Sequence, residues 1–255
     1  HAAVDGAVTL ARSKQKANHL SGLVNAVSRR LAEVDRDEFA ALPVQPLVKY
    51  LRVPVTRAYG EEAASRIDQA HGQEPPVDIT LRRPQEAEKW ASLLEADILP
   101  SGSLRLRNKG QISALEGYES GDWWVQDAAA AVPVALFGDV DGLSVLDLCS
   151  APGGKTMQLA AAGAKVTAVD ISGDRLKRVQ DNLDRTGLSA ELVEADAFKW
   201  TPAKPFDAIL LDAPCSATGT IRRHPDLPFV RRNWDLQPVL RMQSDMLDLC
   251  AGWLK

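Results

Sequence analysis

The chain has 255 residues, 45% of them hydrophobic, and a formal net charge of −4; this is enough apolar material for one large or two modest domains with a real core. The mild acidity excludes a protein coated throughout in nucleic-acid-binding charge but leaves room for a local basic face. Three cysteines with no C-x-x-C pair give neither a disulfide framework nor a zinc pattern, so no metal site is expected; with no long apolar run and no signal pattern, a cytoplasmic protein without membrane contact is expected.

The sequence opens at His1 inside a helical pattern and closes at Leu254-Lys255 without a finishing element, as a fragment would. Leu20, Leu23, Val24, Val27, Leu31 and Val34 recur at three- and four-residue steps, the stripe of an amphipathic helix with Arg29 and Arg30 off its apolar face. Residues 1–40 are expected to be mostly helical and to form a first domain, and those arginines suit a solvated face better than an RNA contact. Prolines at 43, 46 and 54 mark a linker, because each removes a backbone donor and restricts its neighbour.

Residues 57–72 read as a helix stopped by Glu74-Pro75-Pro76, Val77 to Leu81 alternates like a half-buried strand, and Glu86 to Leu94 reads as a helix. From Ser103 to Lys109 basic residues alternate with apolar ones, placing Arg105 and Arg107 on one face. That is either an edge strand guarded by charge or a strand that contacts an RNA backbone. Residues 41–120 are thus expected to form a small α/β module.

Trp123-Trp124 and the alanine-rich run to Phe137 read as the lead-in helix of a third domain, 121–255, with the tryptophans used for packing. Beyond it the pattern alternates: strand 143–148, helix 154–163, strand 165–169, helix 173–186, strand 191–193 and strand 206–211. Strands separated by helices predict a parallel, doubly wound α/β sheet, whose ligands bind at the carboxyl ends of the strands.

The turn after the first of these strands, Cys149-Ser150-Ala151-Pro152-Gly153-Gly154-Lys155-Thr156, has a nucleotide-site layout, because glycine lets backbone approach a ligand and the helix that follows presents free N–H groups. A Walker loop needs glycine where Cys149 stands. The dinucleotide fingerprint needs Gly-x-Gly-x-x-Gly, but here the close pair is adjacent. What remains is a ligand with an amino-acid tail and an adenosine, such as S-adenosylmethionine, whose carboxylate suits the loop amides and Lys155. A nucleotide hydrolase stays as a distant alternative.

Three acids follow strands. Asp170 stands where a carboxylate can accept ribose hydroxyls, Asp196 where one can receive an adenine amino group, and Asp212 begins Asp212-Ala213-Pro214-Cys215-Ser216. Any one alone would read as a turn former or helix cap; three in register with a glycine turn point to a site. Cys215 lies on a proline-stiffened loop, and a thiolate is the natural nucleophile for C6 of a pyrimidine, since addition there makes C5 electron-rich. Arg222, Arg223, His224, Arg231 and Arg232 follow, a basic segment fit for phosphates near a target base.

With these motifs in place, the sequence resembles the RsmB/Sun-type RNA cytosine-C5 methyltransferases. The residues that carry the likeness are Leu146 to Thr156, Val169-Asp170, Ala195-Asp196, and Leu211 to Gly219 with Arg222-Arg223-His224-Pro225-Asp226 after it. The likeness is strongest over about 120–255 and implies a Rossmann-like class I methyltransferase domain with S-adenosylmethionine as cofactor and RNA as partner, ribosomal RNA before transfer RNA. It implies that Cys149, Ser150, Ala151, Pro152, Gly153, Gly154 and Lys155 hold the methionine part, Asp170 the ribose and Asp196 the adenine. Arg175 joins this cofactor set, and Asp212 serves the catalytic face. It further implies that residues 1–40 end a NusB-like helical domain and that 41–120 connect it to the catalytic domain. Cys215 then promotes product release, while a second cysteine, in a threonine-cysteine motif after the next strand, attacks C6. The 255 residues stop before that strand and so are expected to lack the nucleophile and the last strands. Cys250 is no substitute, since it reads as the buried side of a helix. An inactive RNA-binding module that keeps the cofactor site is the alternative from another class.

Overall fold

The computed structural model describes residues 2–107, 110–230 and 236–255; the expectations placed on Lys109, Arg231 and Arg232 lie outside them. The chain falls into two compact units, His1–Gly72 and Gln73–Lys255. Among the described residues no helix is long and apolar enough to cross a membrane, and no cluster of potential metal ligands forms.

The first unit is helical: α1 Ala2–Ser13, α2 Ser21–Glu33, α3 Arg36–Ala40 and α4 Lys49–His71. The stripe read from sequence lies on α2, yet Leu23, Val27 and Leu31 remain 61%, 46% and 62% exposed. Periodicity gives the helix and its apolar face, not whether anything covers that face. Asp35 caps α3 by accepting the Asp37 N–H at 2.8 Å. The fourth helix starts at Lys49 rather than 57, so Pro54 is inside it, and Gly60, at φ 82°, interrupts it. Proline deletes one N–H without ending the run, whereas glycine permits the positive-φ break. Buried Asp68 pairs with Arg52 and accepts the Leu47 N–H at 2.9 Å, which fixes the segment leading into α4.

The second unit holds two sheets. The smaller is antiparallel, with β1 Val77–Leu81, β2 Ala96–Ile98, β3 Leu104–Leu106 and β4 Trp123–Val125 in the order β2-β3-β1-β4, and α5 Ala87–Leu93 contributes Trp90 to its core. Trp123 and Trp124 are therefore strand, not the lead-in helix that sequence suggested. The pairing Leu81↔Trp123 and Ile79↔Val125 decides it, a contact that local pattern cannot show. Alternation then serves two cores: Trp123 packs with Ile79, Trp90 and Leu104, while Trp124 packs with Met157, Val179 and Leu183 of the larger layer. The lead-in helix is α6 Ala128–Ala135, whose N-cap Asp127 accepts the Ala129 N–H at 2.9 Å.

The larger sheet is parallel, β5 Ser144–Leu148, β6 Lys165–Asp170, β7 Glu191–Glu194 and β8 Ala208–Leu211, ordered β7-β6-β5-β8. Its helices are α7 Gly154–Ala161 and α8 Gly173–Thr186, followed by α9 Leu227–Val230 and α10 Gln237–Gly252. Val145 packs in one cluster with Val134 of α6 and Leu159 of α7. Its neighbours Leu146 and Leu148 pack in another with Met246 and Cys250 of α10, so both faces are covered, as a parallel sheet requires. Cys250 is buried there, on the inner side of its helix. The Rossmann-like arrangement brings the carboxyl ends of four parallel strands to one edge.

Candidate cofactor and catalytic site

That edge is stitched laterally. The Ser150 N–H donates to Val169 O at 3.1 Å, Ala195 N–H to Asp170 O at 3.1 Å, and Asp212 N–H to Leu148 O at 3.1 Å. The second residue past β5 and the first past each of β7 and β8 are thus held in register with a neighbouring strand, and the three acids read from sequence share one rim with the glycine turn.

The turn depends on positive backbone angles, φ 64° at Cys149 and 101° at Gly153. A Cβ on Gly153 would stand 2.9 Å from a methyl carbon of Val179, so glycine allows α7 to start against α8. No side chain caps α7; its first-turn N–H groups face a ligand position with the positive end of the helix dipole. Two buried polar atoms beside the turn, Ser150 Oγ and Asp147 Oδ1, have no hydrogen-bond partner. An uncapped helix start with an unpartnered hydroxyl fits the carboxylate and ammonium of an amino-acid ligand.

Asp147 is fully buried, and its other oxygen accepts the Thr156 hydroxyl at 2.6 Å. Burial pushes its carboxyl up to about 6, against the opposing pull of Thr156 and Lys155. Burial likewise pushes the Cys149 thiol up to about 11, with Asp170, Asp212 and Asp147 adding to it. A thiol raised in this way holds its proton and is a poor nucleophile.

Asp170 is 2% exposed. Its Oδ2 accepts the Ala151 N–H at 3.1 Å and its Oδ1 the Ser172 N–H at 3.0 Å. Arg175 pairs with it at 3.2 Å and also donates to Ala151 O. Asp170 and Arg175 thus brace the glycine turn from β6 and α8. Asp196 makes the turn bond that a lone strand-end acid would make, accepting the Phe198 N–H at 3.1 Å. Lys155 Nζ donates to Asp212 Oδ2 at 2.8 Å, joining the cofactor turn to the segment that carries Cys215. Cys215 is exposed, and its Sγ accepts the Ala217 N–H at 3.3 Å.

The basic residues behave differently from the acids. Arg105 forms two bonds to buried Asp78, at 2.7 and 3.0 Å. Burial pushes Asp78 up, but the bonds from Arg105 and from the Ala128 N–H outweigh it and hold the carboxyl below its usual range. Arg107 pairs with Asp97. Arg222 donates to Gln73 O and Glu74 O at 3.2 and 2.9 Å, and Arg223 to Pro76 O and Asp127 at 3.1 and 2.8 Å. His224 is exposed.

Sequence reading missed Gln126. Its side chain accepts from Trp124 at 2.8 Å, donates to Gln158 at 3.1 Å and lies against the Gly154 backbone, so it props the start of α7. A polar pair, Gln126-Asp127, between two tryptophans and an alanine run was the available signal. Ile171 and Phe198 were also missed; they follow β6 and β7 and are 68% and 48% exposed, apolar surface on the site edge beside Asp170 and Asp196. A separate open depression of about 580 Å³ lies along α8, between Gly173, Lys177, Gln180 and Glu194, and holds none of the residues just described.

Residues 135–255 match the family model described as 16S rRNA methyltransferase RsmB/F. Ribosomal RNA small subunit methyltransferase B of Citrobacter koseri is 38% identical over 99% of the chain, and its Escherichia coli counterpart 37% identical over 99%. The chain spans 61% of the length of each. Among solved structures, NSun6 from Pyrococcus horikoshii with SFG matches with a TM-score of 0.70 at 17% identity, covering 84% of this chain and 82% of that one. A methyltransferase homolog from the same organism matches with a TM-score of 0.66 at 23% identity, covering 82% and 74%.

Proposed function

We propose, from the match of residues 135–255 to the RsmB/F methyltransferase family model, that the protein transfers a methyl group from S-adenosylmethionine to C5 of a cytosine in RNA. Ribosomal RNA is the favoured substrate, transfer RNA the alternative, and the cytoplasm the compartment. The observation that carries this reading is the shared rim. An uncapped glycine turn, three strand-end carboxylates and the Cys215 loop sit together at the carboxyl ends of β5 to β8, where open parallel sheets take ligands.

The cofactor, when bound, supplies a methyl group on a sulfonium centre. The turn 149–155 receives the amino-acid tail on its N–H groups, and Lys155, fixed by Asp212, adds a positive charge there. Asp170 would accept from ribose hydroxyls and Asp196 from the adenine amino group, and Ile171 and Phe198 would supply apolar surface for the ring. Addition of a thiolate to C6 of the unstacked cytosine makes C5 nucleophilic. After methylation, C5 loses its proton as the C6–sulfur bond breaks and the electron pair returns to sulfur. By the family resemblance Cys215 acts at this release stage, and the attacking thiol belongs to the threonine-cysteine motif.

The helices of 2–40 support the reading of 1–40 as the end of a NusB-like domain. The small antiparallel sheet supports a connecting module ahead of the catalytic domain.

Two measurements test the function. Calorimetric titration is expected to show binding of S-adenosylhomocysteine and none of ATP; the reverse would restore the hydrolase reading. Bisulfite mapping of cellular RNA with and without the gene is expected to show one or a few cytosines that lose protection. Binding of S-adenosylhomocysteine with no cytosine changed would leave the inactive RNA-binding module.

A further inference from the structure

Arg222 and Arg223 lie seven and eight residues past Cys215 and turn inward. Their four bonds, at 2.8 to 3.2 Å, run to the carbonyls of Gln73, Glu74 and Pro76 and to the Asp127 carboxylate. Those acceptors belong to the segment entering β1 and to the cap of α6, that is, to the approach to the small antiparallel sheet and the helix that leads from it. The base to which they bind is itself rigid. Asp127 keeps its other oxygen on the Ala129 N–H, and Asp78 of β1 takes the Ala128 N–H at 3.1 Å as well as both Arg105 bonds. Elsewhere on the same unit, Arg82 donates to Thr186 O at 2.7 Å and Arg185 to Tyr118 O at 2.6 Å. Gly121 approaches so closely that a Cβ there would lie 2.0 Å from Arg185 O. The small sheet is thereby fastened to α8 and, through the two arginines, to the loop after β8.

We infer that Arg222 and Arg223 are positioning residues, a latch that fastens the Cys215 loop to the small sheet, and not phosphate contacts. The inference rests on the methyltransferase reading for its catalytic consequence but not for its structural part. Between Cys215 and the latch the chain is a series of tight turns, with Thr220 N–H on Ala217 O, and Arg223 and His224 N–H on Thr220 O, each at 2.9 Å. A displacement at Arg223 passes through those turns to the thiol. Arginine suits this task because Arg222 spreads its fork over two carbonyls from Nε and Nη2, while the Nη2 of Arg223 alone donates to both the Pro76 carbonyl and the Asp127 carboxylate.

The test uses Arg223→Ala and Arg223→Lys, together with Asp127→Asn, which keeps an acceptor for the helix cap but removes the charge. Hydrogen exchange of the amides of 217–224 is expected to quicken roughly tenfold in Arg223→Ala, the size of effect that losing a charged hydrogen bond produces. It should quicken less in Arg223→Lys, and Arg223→Ala with Asp127→Asn should add little to Arg223→Ala alone, because the two residues share one bond. S-adenosylhomocysteine affinity should stay constant, and turnover on RNA should fall while KM for RNA holds. Unchanged exchange, combined with weaker RNA binding and a salt slope shallower by about one, would overturn the latch and restore a phosphate contact. Failure of the wild-type protein, expressed from its whole gene, to methylate RNA would sink the methyltransferase reading while leaving the exchange result to decide the latch.

Discussion

Lys155 of α7 and Asp212 beyond β8 meet at 2.8 Å across the top of the sheet, the lysine mostly covered at 17% exposure and the acid 55% exposed. The pair crosses two adjacent parallel strands' ends, since β5 precedes the glycine turn and β8 precedes Asp212. A pair this open contributes little to stability, typically below about 1 kcal/mol, so its use lies in aiming both groups at the rim. Lys155→Met is expected to leave urea unfolding within about 1 kcal/mol of wild type and to weaken S-adenosylhomocysteine binding at least tenfold in calorimetry. A large stability loss with unchanged affinity would make the pair a structural tie.

Asp170 has more to lose. Removing it frees the N–H groups of Ala151 and Ser172 and the Arg175 guanidinium together. Asp170→Ala is expected to cost about 1.5–3 kcal/mol of cofactor binding, the range for bonds to a charged group, with a measurable loss of stability besides. Asp196→Ala should cost less binding, because adenine also meets apolar surface at Ile171 and Phe198. An equal or greater loss at Asp196 would reverse the ranking and place the main polar contact at the adenine.

The buried Asp147 predicts a pH dependence. Its folded value of about 6 lies above the ordinary 3.8, so the folded state favours the neutral carboxyl. Its contribution to stability is full below pH 3.8 and is lost as pH rises through about 6, roughly 3 kcal/mol for a two-unit difference. Asp147→Asn mimics the neutral form and keeps an acceptor for the Thr156 hydroxyl. Relative to wild type, the variant should gain up to about 3 kcal/mol between pH 4 and pH 8 in urea unfolding. Parallel stability curves for the two proteins across that range would show that Asp147 does not titrate as described.

Much of the parallel sheet was legible because its strands and helices differ in period and are separated by glycine turns. Strand 143–148 and helix 173–186 in sequence correspond to Ser144–Leu148 and Gly173–Thr186 in the fold. Trp123-Trp124 was misread because a three-residue strand has too few positions to declare a period, and its pairing partner, β1, is remote in sequence. The acids of the rim could be found because strand ends converge by topology. The arginines could not: sequence gives the charge of Arg105, Arg222 and Arg223 but not that Asp78, Asp127 and main-chain carbonyls accept from them. Likewise the stripe on α2 was visible, but its exposure is a property of the packing around it.

Cys215 divides two mechanisms. If its thiol attacks C6, Cys215→Ala forms no covalent link to RNA and no product. If it assists release, attack by the other cysteine proceeds, the methyl group is transferred, and the enzyme is held on the base because the step that returns the electron pair to sulfur is slowed. The family resemblance points to assistance, and the structure holds the thiol in place for either role. The Cys215 Sγ accepts the Ala217 N–H, on a loop whose Asp212 end is tied to the cofactor turn and whose Arg223 end is tied to Asp127, so the thiol is held at the rim in a fixed turn. Cys149 is a poorer nucleophile, since burial pushes its thiol up to about 11. In the protein expressed from its whole gene, Cys215→Ala is therefore expected to accumulate a covalent RNA adduct, seen as a slow band on a denaturing gel that digestion with ribonuclease removes. Loss of both adduct and methylation in that variant would make Cys215 the nucleophile and overturn the release role.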